Sequence, residues 1–173
     1  VSGDTDTKVT AITSGGSQAN IEAMESGDAQ IGFVQSDVMS YAYEGTNLFE
    51  GAAVTDFSVV AALYGEQVQI VTCNPAIKTV ADLKGKNVSI GAPGSGVYFN
   101  AMDVLKAYGL SENDITPTYE SFGDSADSLK DGKIDAAFLV AGAPTTAITS
   151  LATTNPVYLV SLDDEHINKL IAE

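Results

Sequence analysis

The chain has 173 residues, 45% of them hydrophobic, with a formal net charge of −15 and an isoelectric point near 4.1. A field of that sign repels a nucleic-acid backbone and excludes it as a partner, and all eight basic residues are lysines, which denies a ligand carboxylate the bidentate grip of arginine. The length allows one ample core or two small ones, no apolar run is long enough for a membrane span, and the single Cys73 excludes an intrachain disulfide or a thiolate metal cluster.

The opening "VSGDTDTK" starts without Met and reads as the interior of a longer chain. From there apolar stretches of strand length alternate with segments of helical period, the pattern of parallel β/α units with right-handed crossovers. The first predicted strand is "VTAIT" (9–13). It leads through Ser14, Gly15, Gly16 and Ser17 into a helix over 18–26 that spaces Ile21 and Met24 three apart. Strand "QIGFV" (30–34) runs into Gln35, Ser36 and Asp37 at the head of the next helix. Strand "VQIVT" (68–72) follows, with Cys73 at its end read as a buried, inert thiol rather than a nucleophile. "TVAD" (79–82) and "SEND" (111–114) have the hydroxyl-x-x-acid form of a capping box. Between them lie strand "NVSIG" (87–91), the loop "GAPGSG" (91–96) and a helix over 97–108 with Met102, Leu105 and Tyr108 on one face. Strands "ITPTY" (115–119), "IDAAFLV" (134–140) and "VYLVS" (157–161) complete the series, and "DDEH" (163–166) loads a helix start with negative charge.

One unit occurs twice. "ESGDAQIGFV" (25–34) aligns without gaps on "KDGKIDAAFL" (130–139) at an offset of 105 residues, and the order strand, loop, helix, glycine, strand, loop extends over about 30 residues around each copy. Gly27 and Gly132 are placed where a left-handed residue ends a helix. Composition shifts at "TCNPAIKT" (72–79) and "TTNP" (153–156) divide the chain into 1–73, part of a first lobe; 74–156, a second lobe; and 157–173, a return toward the first. Each lobe then holds one copy.

In open parallel α/β sheets the ligand crevice lies beyond the carboxyl ends of the strands. Four such ends carry small polar residues before a helix: Ser14 to Ser17; Gln35 to Asp37; Gly94, Ser95 and Gly96; and Ala141, Gly142 and Ala143. Helix N-terminal amides there suit an anion, each contributing about 0.3–1 kcal/mol through the dipole and about 1.5–3 kcal/mol per hydrogen bond to a charged group. "GAPGSG" lacks the Gly-Lys-Ser/Thr ending of a phosphate loop, and Phe99 occupies the third glycine position of the dinucleotide fingerprint. A Ser/His/Asp relay would need His166, the only histidine, which sits in a charged helix start and reads as plain surface. Paired His or Cys for a metal and the spacing of a calcium loop are both missing, so no catalytic residue, metal or cofactor is expected. Asp37 and Asp124 lie near the predicted cleft edges; Asp37 either caps its helix or receives a ligand ammonium.

The stretches "ITSGGSQANIEAMESGDAQIGFVQSDVMSYAYEGT", "VVAALYGEQVQIV", "TVADLKGKNVSIGAPGSGVYFNAMDVLKAYGL" and "SFGDSADSLKDGKIDAAFLVAGAPTTAI" resemble the TAXI-type solute receptors of TRAP transporters. The resemblance implies an α/β, two-lobed fold similar to type II periplasmic binding proteins, with mainly parallel sheets and crossing strands between the lobes. It implies an extracytoplasmic protein, in the periplasm or lipid-anchored on the outer face of the cell membrane. Such a receptor closes on a small organic acid or an amino acid such as glutamate and delivers it to a membrane permease. Family members begin with a further strand and Gly/Thr-rich loop and extend past the equivalent of Glu173, so the first lobe is expected to be incomplete here. Carried over by motif, the site draws on Ser14, Gly15, Gly16, Ser17, Gln35, Ser36, Asp37, Tyr64, Gln67, Ser95 and Gly96. Val97 and Gly65 depart from the family's usual Thr and Pro. Two other classes share the scaffold: the effector domain of a transcription regulator, which needs a helix-turn-helix upstream, and an enzyme such as a thiamine-precursor synthase, which needs a clustered His or Cys site.

Overall fold

The apolar run at 136–140 leaves no polar side for water, and a strand of that kind must be covered on both faces. In the structure, a computed structural model that describes residue 3 and residues 6–172, it lies at the centre of a five-stranded sheet. The strands are β1 (Gln67–Thr72), β2 (Asn87–Ser89), β3 (Thr116–Thr118), β4 (Ala136–Ala141) and β5 (Tyr158–Leu159), in the order β3-β2-β4-β1-β5. β2 pairs parallel with β3 and β4, while β1 pairs antiparallel with β4 and β5. Four strands therefore run one way and only β1 opposes them, as a mixed but mostly parallel α/β sheet.

Side chains alternate across the sheet. Phe138 and Val140 join Ile70 and Val88 on one face, under Val97, Ala101, Val104 and Leu105 of α3 (Gly96–Ala107). Ala137 and Leu139 join Val71 on the other, against α4 (Phe122–Lys130) through Ala126 and Leu129 and against α5 (Thr146–Ala152) through Leu151. Cys73 packs at the margin of this second face, and burial pushes its thiol up, away from the reactive thiolate. β1 and β5 lie outside the block 74–156 and still belong to this sheet. The outer boundaries at residues 1 and 173, and four residues of "VSGDTDTK", lie outside the described residues.

A third cluster holds the N-terminal part. Ile21 of α1 (Ser17–Glu25), Val38 and Ala42 of α2 (Ser36–Glu44), Phe49 and Val54 close around Phe99, which projects from α3. The Phe99 ring stacks on Tyr41 and Phe49 at 5.7 and 6.1 Å. α3 thus serves the sheet with one face and the N-terminal helices with another.

Three expectations are corrected. The predicted strands 9–13 and 30–34 do not form. A strand exists only through its partner, and no ladder forms among the described residues of this region, leaving Ile12, Ile31 and Phe33 exposed. "TVAD" and "SEND" form complete capping boxes, but on single 3-10 turns, Val80–Leu83 and Glu112–Asp114. His166 is not plain surface: its ring stacks on Tyr108 at 3.6 Å and its Nδ1 lies 2.7 Å from Asp163 Oδ1, fastening α6 (Asp164–Ala172) to the end of α3.

The repeat is repeated in hydrogen bonds. Gly27 N donates to Met24 O and Gly132 N to Leu129 O, both at 3.2 Å; Ala29 N donates to Ala23 O and Ile134 N to Ser128 O. Gly27 and Gly132 have φ of 82° and 68°, which a side chain disfavours.

Phe138 is 1% exposed, so Phe138→Ala should lower unfolding free energy by about 3–5 kcal/mol in a urea titration. Asp163 is held down to about 2, first by the hydrogen bond from the His166 ring and then by the His166 backbone amide. A depressed carboxyl contributes stability above its unfolded value of about 3.9 and loses it as pH falls toward 2. Hydrogen-exchange protection of α6 should therefore drop across that window, and Asp163→Asn should remove the drop.

Candidate functional site

The loop before α1 and the loop before α3 touch backbone to backbone. Ala19 N donates to Gly94 O at 3.1 Å, and a Cβ on Gly15 would overlap the Pro93 carbonyl oxygen. Only glycine permits this approach. Across the same seam a Cβ on Gly96 would overlap Gln35 Oε1, and Gln35 N donates to Ser17 Oγ at 3.1 Å. The N-termini of α1, α2 and α3 are thereby drawn to one place, and their first-turn amides have no partner inside their own helices.

Beside them opens a cavity of about 1200 Å³. One wall comes from residues 14–17, 20, 21, 24, 30–37, 39 and 57–66, the other from 92, 95–97, 100 and 120–122. Its floor is the cross-strand pair Val68 and Val140, at the carboxyl end of β4. Of the expected site residues, Ser14, Gly15, Gly16, Ser17, Gln35, Ser36, Asp37, Tyr64, Ser95 and Gly96 all line it. Gln67 does not. Its neighbours Glu66 and Val68 face the cavity, so alternation turns Gln67 away, and its Oε1 accepts from Ala143 N at 3.0 Å. That bond also occupies the fourth candidate loop, and residues 141–143 stay out of the lining.

Ser95, the N-cap of α3, is 6% exposed and its hydroxyl has no hydrogen-bond partner. Asp37, in the first turn of α2, accepts from Asn100 Nδ2 at 2.5 Å, while Glu66 Oε2 accepts from Gln35 Nε2 at 3.2 Å. Asp124 is not at the cavity; it accepts from Ser121 Oγ at 2.6 Å at the start of α4. Among the described residues no group of His, Cys, Asp and Glu is placed to hold a metal ion, and no helix is long and apolar enough to cross a membrane.

Sequence reasoning passed over Asn100 and Glu120. Both were within its reach: Asn100 is one helical turn beyond Gly96 on the same face, and Glu120 stands just past the carboxyl end of β3, ahead of the Ser121 cap.

A family model described as the NMT1-like family matches residues 2–173. A curated relative from Escherichia coli (strain K12), named for aliphatic sulfonate binding, is 39% identical over 70 residues, which is 40% of this chain and 22% of that protein. Among solved structures, the alkanesulfonate-binding protein SsuA from Xanthomonas axonopodis pv. citri, bound to MOPS, has a TM-score of 0.58 and 24% identity, over 89% of this chain and 50% of that one. The periplasmic sulfonate-binding protein SsuA from Methylobacillus flagellatus KT has a TM-score of 0.51 and 17% identity, over 82% and 39%. These likenesses bear out the expected α/β fold of the periplasmic-binding-protein kind, and this chain spans half or less of each protein's length.

Gly15→Ala should part the two loops and weaken ligand binding. Losing one hydrogen bond to a charged group costs about 1.5–3 kcal/mol, on the order of tenfold to a hundredfold in Kd. Gly142→Ala, where a Cβ meets open space, should leave affinity unchanged in the same calorimetric titration.

Proposed function

We propose that this chain, which belongs to the NMT1-like family, is the ligand-binding part of an extracytoplasmic solute receptor that hands a small acid to a membrane permease, and is neither an enzyme nor a nucleic-acid binder. The observation that carries the reading is the convergence of three helix N-termini on one cavity with a buried, unpaired Ser95 hydroxyl. Anions bind at such termini without arginine, and this chain has none.

Ligand contacts on both walls favour the state in which the walls are together, which is how binding couples to a permease that reads the closed form. We assign 1–73 to the first lobe, 74–156 to the second and 157–173 to the return segment, with the acid group of the ligand held by the loops at 14–17, 35–37 and 95–96. The finer reading is a TAXI-type receptor of a TRAP transporter that takes a carboxylate or an amino acid such as glutamate, and it is supported by the motif set quoted above. A second reading, a receptor of an ABC-type importer that takes a sulfonate, is favoured by the names of the E. coli and Xanthomonas relatives. Both place an acid head at the same helix ends.

A ligand that binds only the native state raises its stability, by about 2.7 kcal/mol at a hundredfold excess over Kd. A thermal-shift panel of carboxylates, amino acids and alkanesulfonates on the full-length protein should therefore give a clear rise for one class, and which class responds decides between the two readings. A flat response across all three would contradict the receptor.

A further inference from the structure

Two side-chain amides on the cavity wall have no choice of orientation. Asp37 and Glu66 present carboxylate oxygens that only accept, so Asn100 and Gln35 turn their nitrogens to them. The opposite atoms, Asn100 Oδ1 and Gln35 Oε1, are left out of solvent without a hydrogen bond, and Glu120 Oε2 is in the same condition. All three residues line the cavity, together with Ser95, and among the described residues no lysine or histidine does. Lys133, whose ammonium feels the Glu120 charge, is committed to Asp131 at 2.8 Å. Buried acceptors without donors are costly, and most so when charged.

We propose that Glu120 is the counter-ion for a positively charged end of the ligand. The site then takes an amphoteric molecule, with an acid group at one pole and an ammonium or guanidinium at the other, in preference to a purely anionic one. This rests on the receptor reading and deepens it. The acid group lies at the N-terminus of α3 beside Ser95, and the cation brings the N–H donors that Glu120 Oε2 and Asn100 Oδ1 lack. A ligand with acid groups alone sets its charge before Asp37, Glu66 and Glu120 and satisfies none of the buried oxygens; that mismatch is the source of selectivity.

The test titrates the full-length protein with two matched pairs, L-glutamate against 2-oxoglutarate and taurine against ethanesulfonate. Within the pair whose acid head fits, the ammonium-bearing member should bind at least about tenfold tighter. Glu120→Gln should bring that ratio near one, and Glu120→Asp should retain part of it, with the unfolding midpoint of each variant confirming its fold. Equal or tighter binding of 2-oxoglutarate and ethanesulfonate overturns the inference and leaves the receptor standing. A ratio unchanged in Glu120→Gln overturns the assignment to Glu120. No binding of any of the four overturns the inference, while the receptor is judged separately by the broader thermal panel.

Discussion

The site depends on one close approach of main chain to main chain. Gly15 lies against the Pro93 carbonyl, Ala19 N bonds to Gly94 O, and Gly96 leaves room for the Gln35 amide. Any side chain in the seam would hold the loops apart, and the three helix N-termini would no longer face a common volume. The apolar contact behind the seam has the same consequence. Phe99 leaves the sheet-covering face of α3 to fill the cluster of α1 and α2, so the helix that presents Ser95 to the cavity is also the one that anchors the opposite wall. Tyr41, whose hydroxyl donates to Asp103 at 2.9 Å, ties the same two helices further along.

The duplicated unit shows what local sequence specifies and what it leaves to partners. Residues 22–29 and 127–134 share three backbone hydrogen bonds and a left-handed glycine, because the turn from helix to strand needs only that glycine and its neighbours. The segments that follow diverge. Residues 136–141 become the central strand, flanked by β2 and β1, while among the described residues 30–34 find no strand to pair with, Ile31 and Phe33 staying exposed and Val34 packing on the third cluster. Periodicity identifies a segment able to pair; only the tertiary context supplies the neighbour. The same limit applies to "TVAD" and "SEND", where the cap chemistry was plain and the length of the turn behind it was not.

For the site, the loops at strand ends were readable because glycine and serine before a helix have a definite geometric use. Side chains reaching in from elsewhere were harder to see. Asn100 looks like any polar helix residue until Asp37 is found opposite it, and Gln67 was misplaced by a single step of strand alternation. His166 looked solvated because its partner, Tyr108, is 58 residues away in sequence. Charge tells a related story. Three of the chain's carboxylates, Asp37, Glu66 and Glu120, line the cavity where no lysine or histidine among the described residues does, which gives the acidity a bearing on what can enter.

Hydrogen exchange of the full-length protein, with and without a ligand that raises its unfolding temperature, tests the central claim of a cavity shared by two walls most directly. The account predicts slowed exchange in residues 14–18 and 35–39 on one wall and 94–98 and 118–122 on the other, appearing together at the same ligand concentration. Protection confined to one wall, or located away from the cavity, would contradict it.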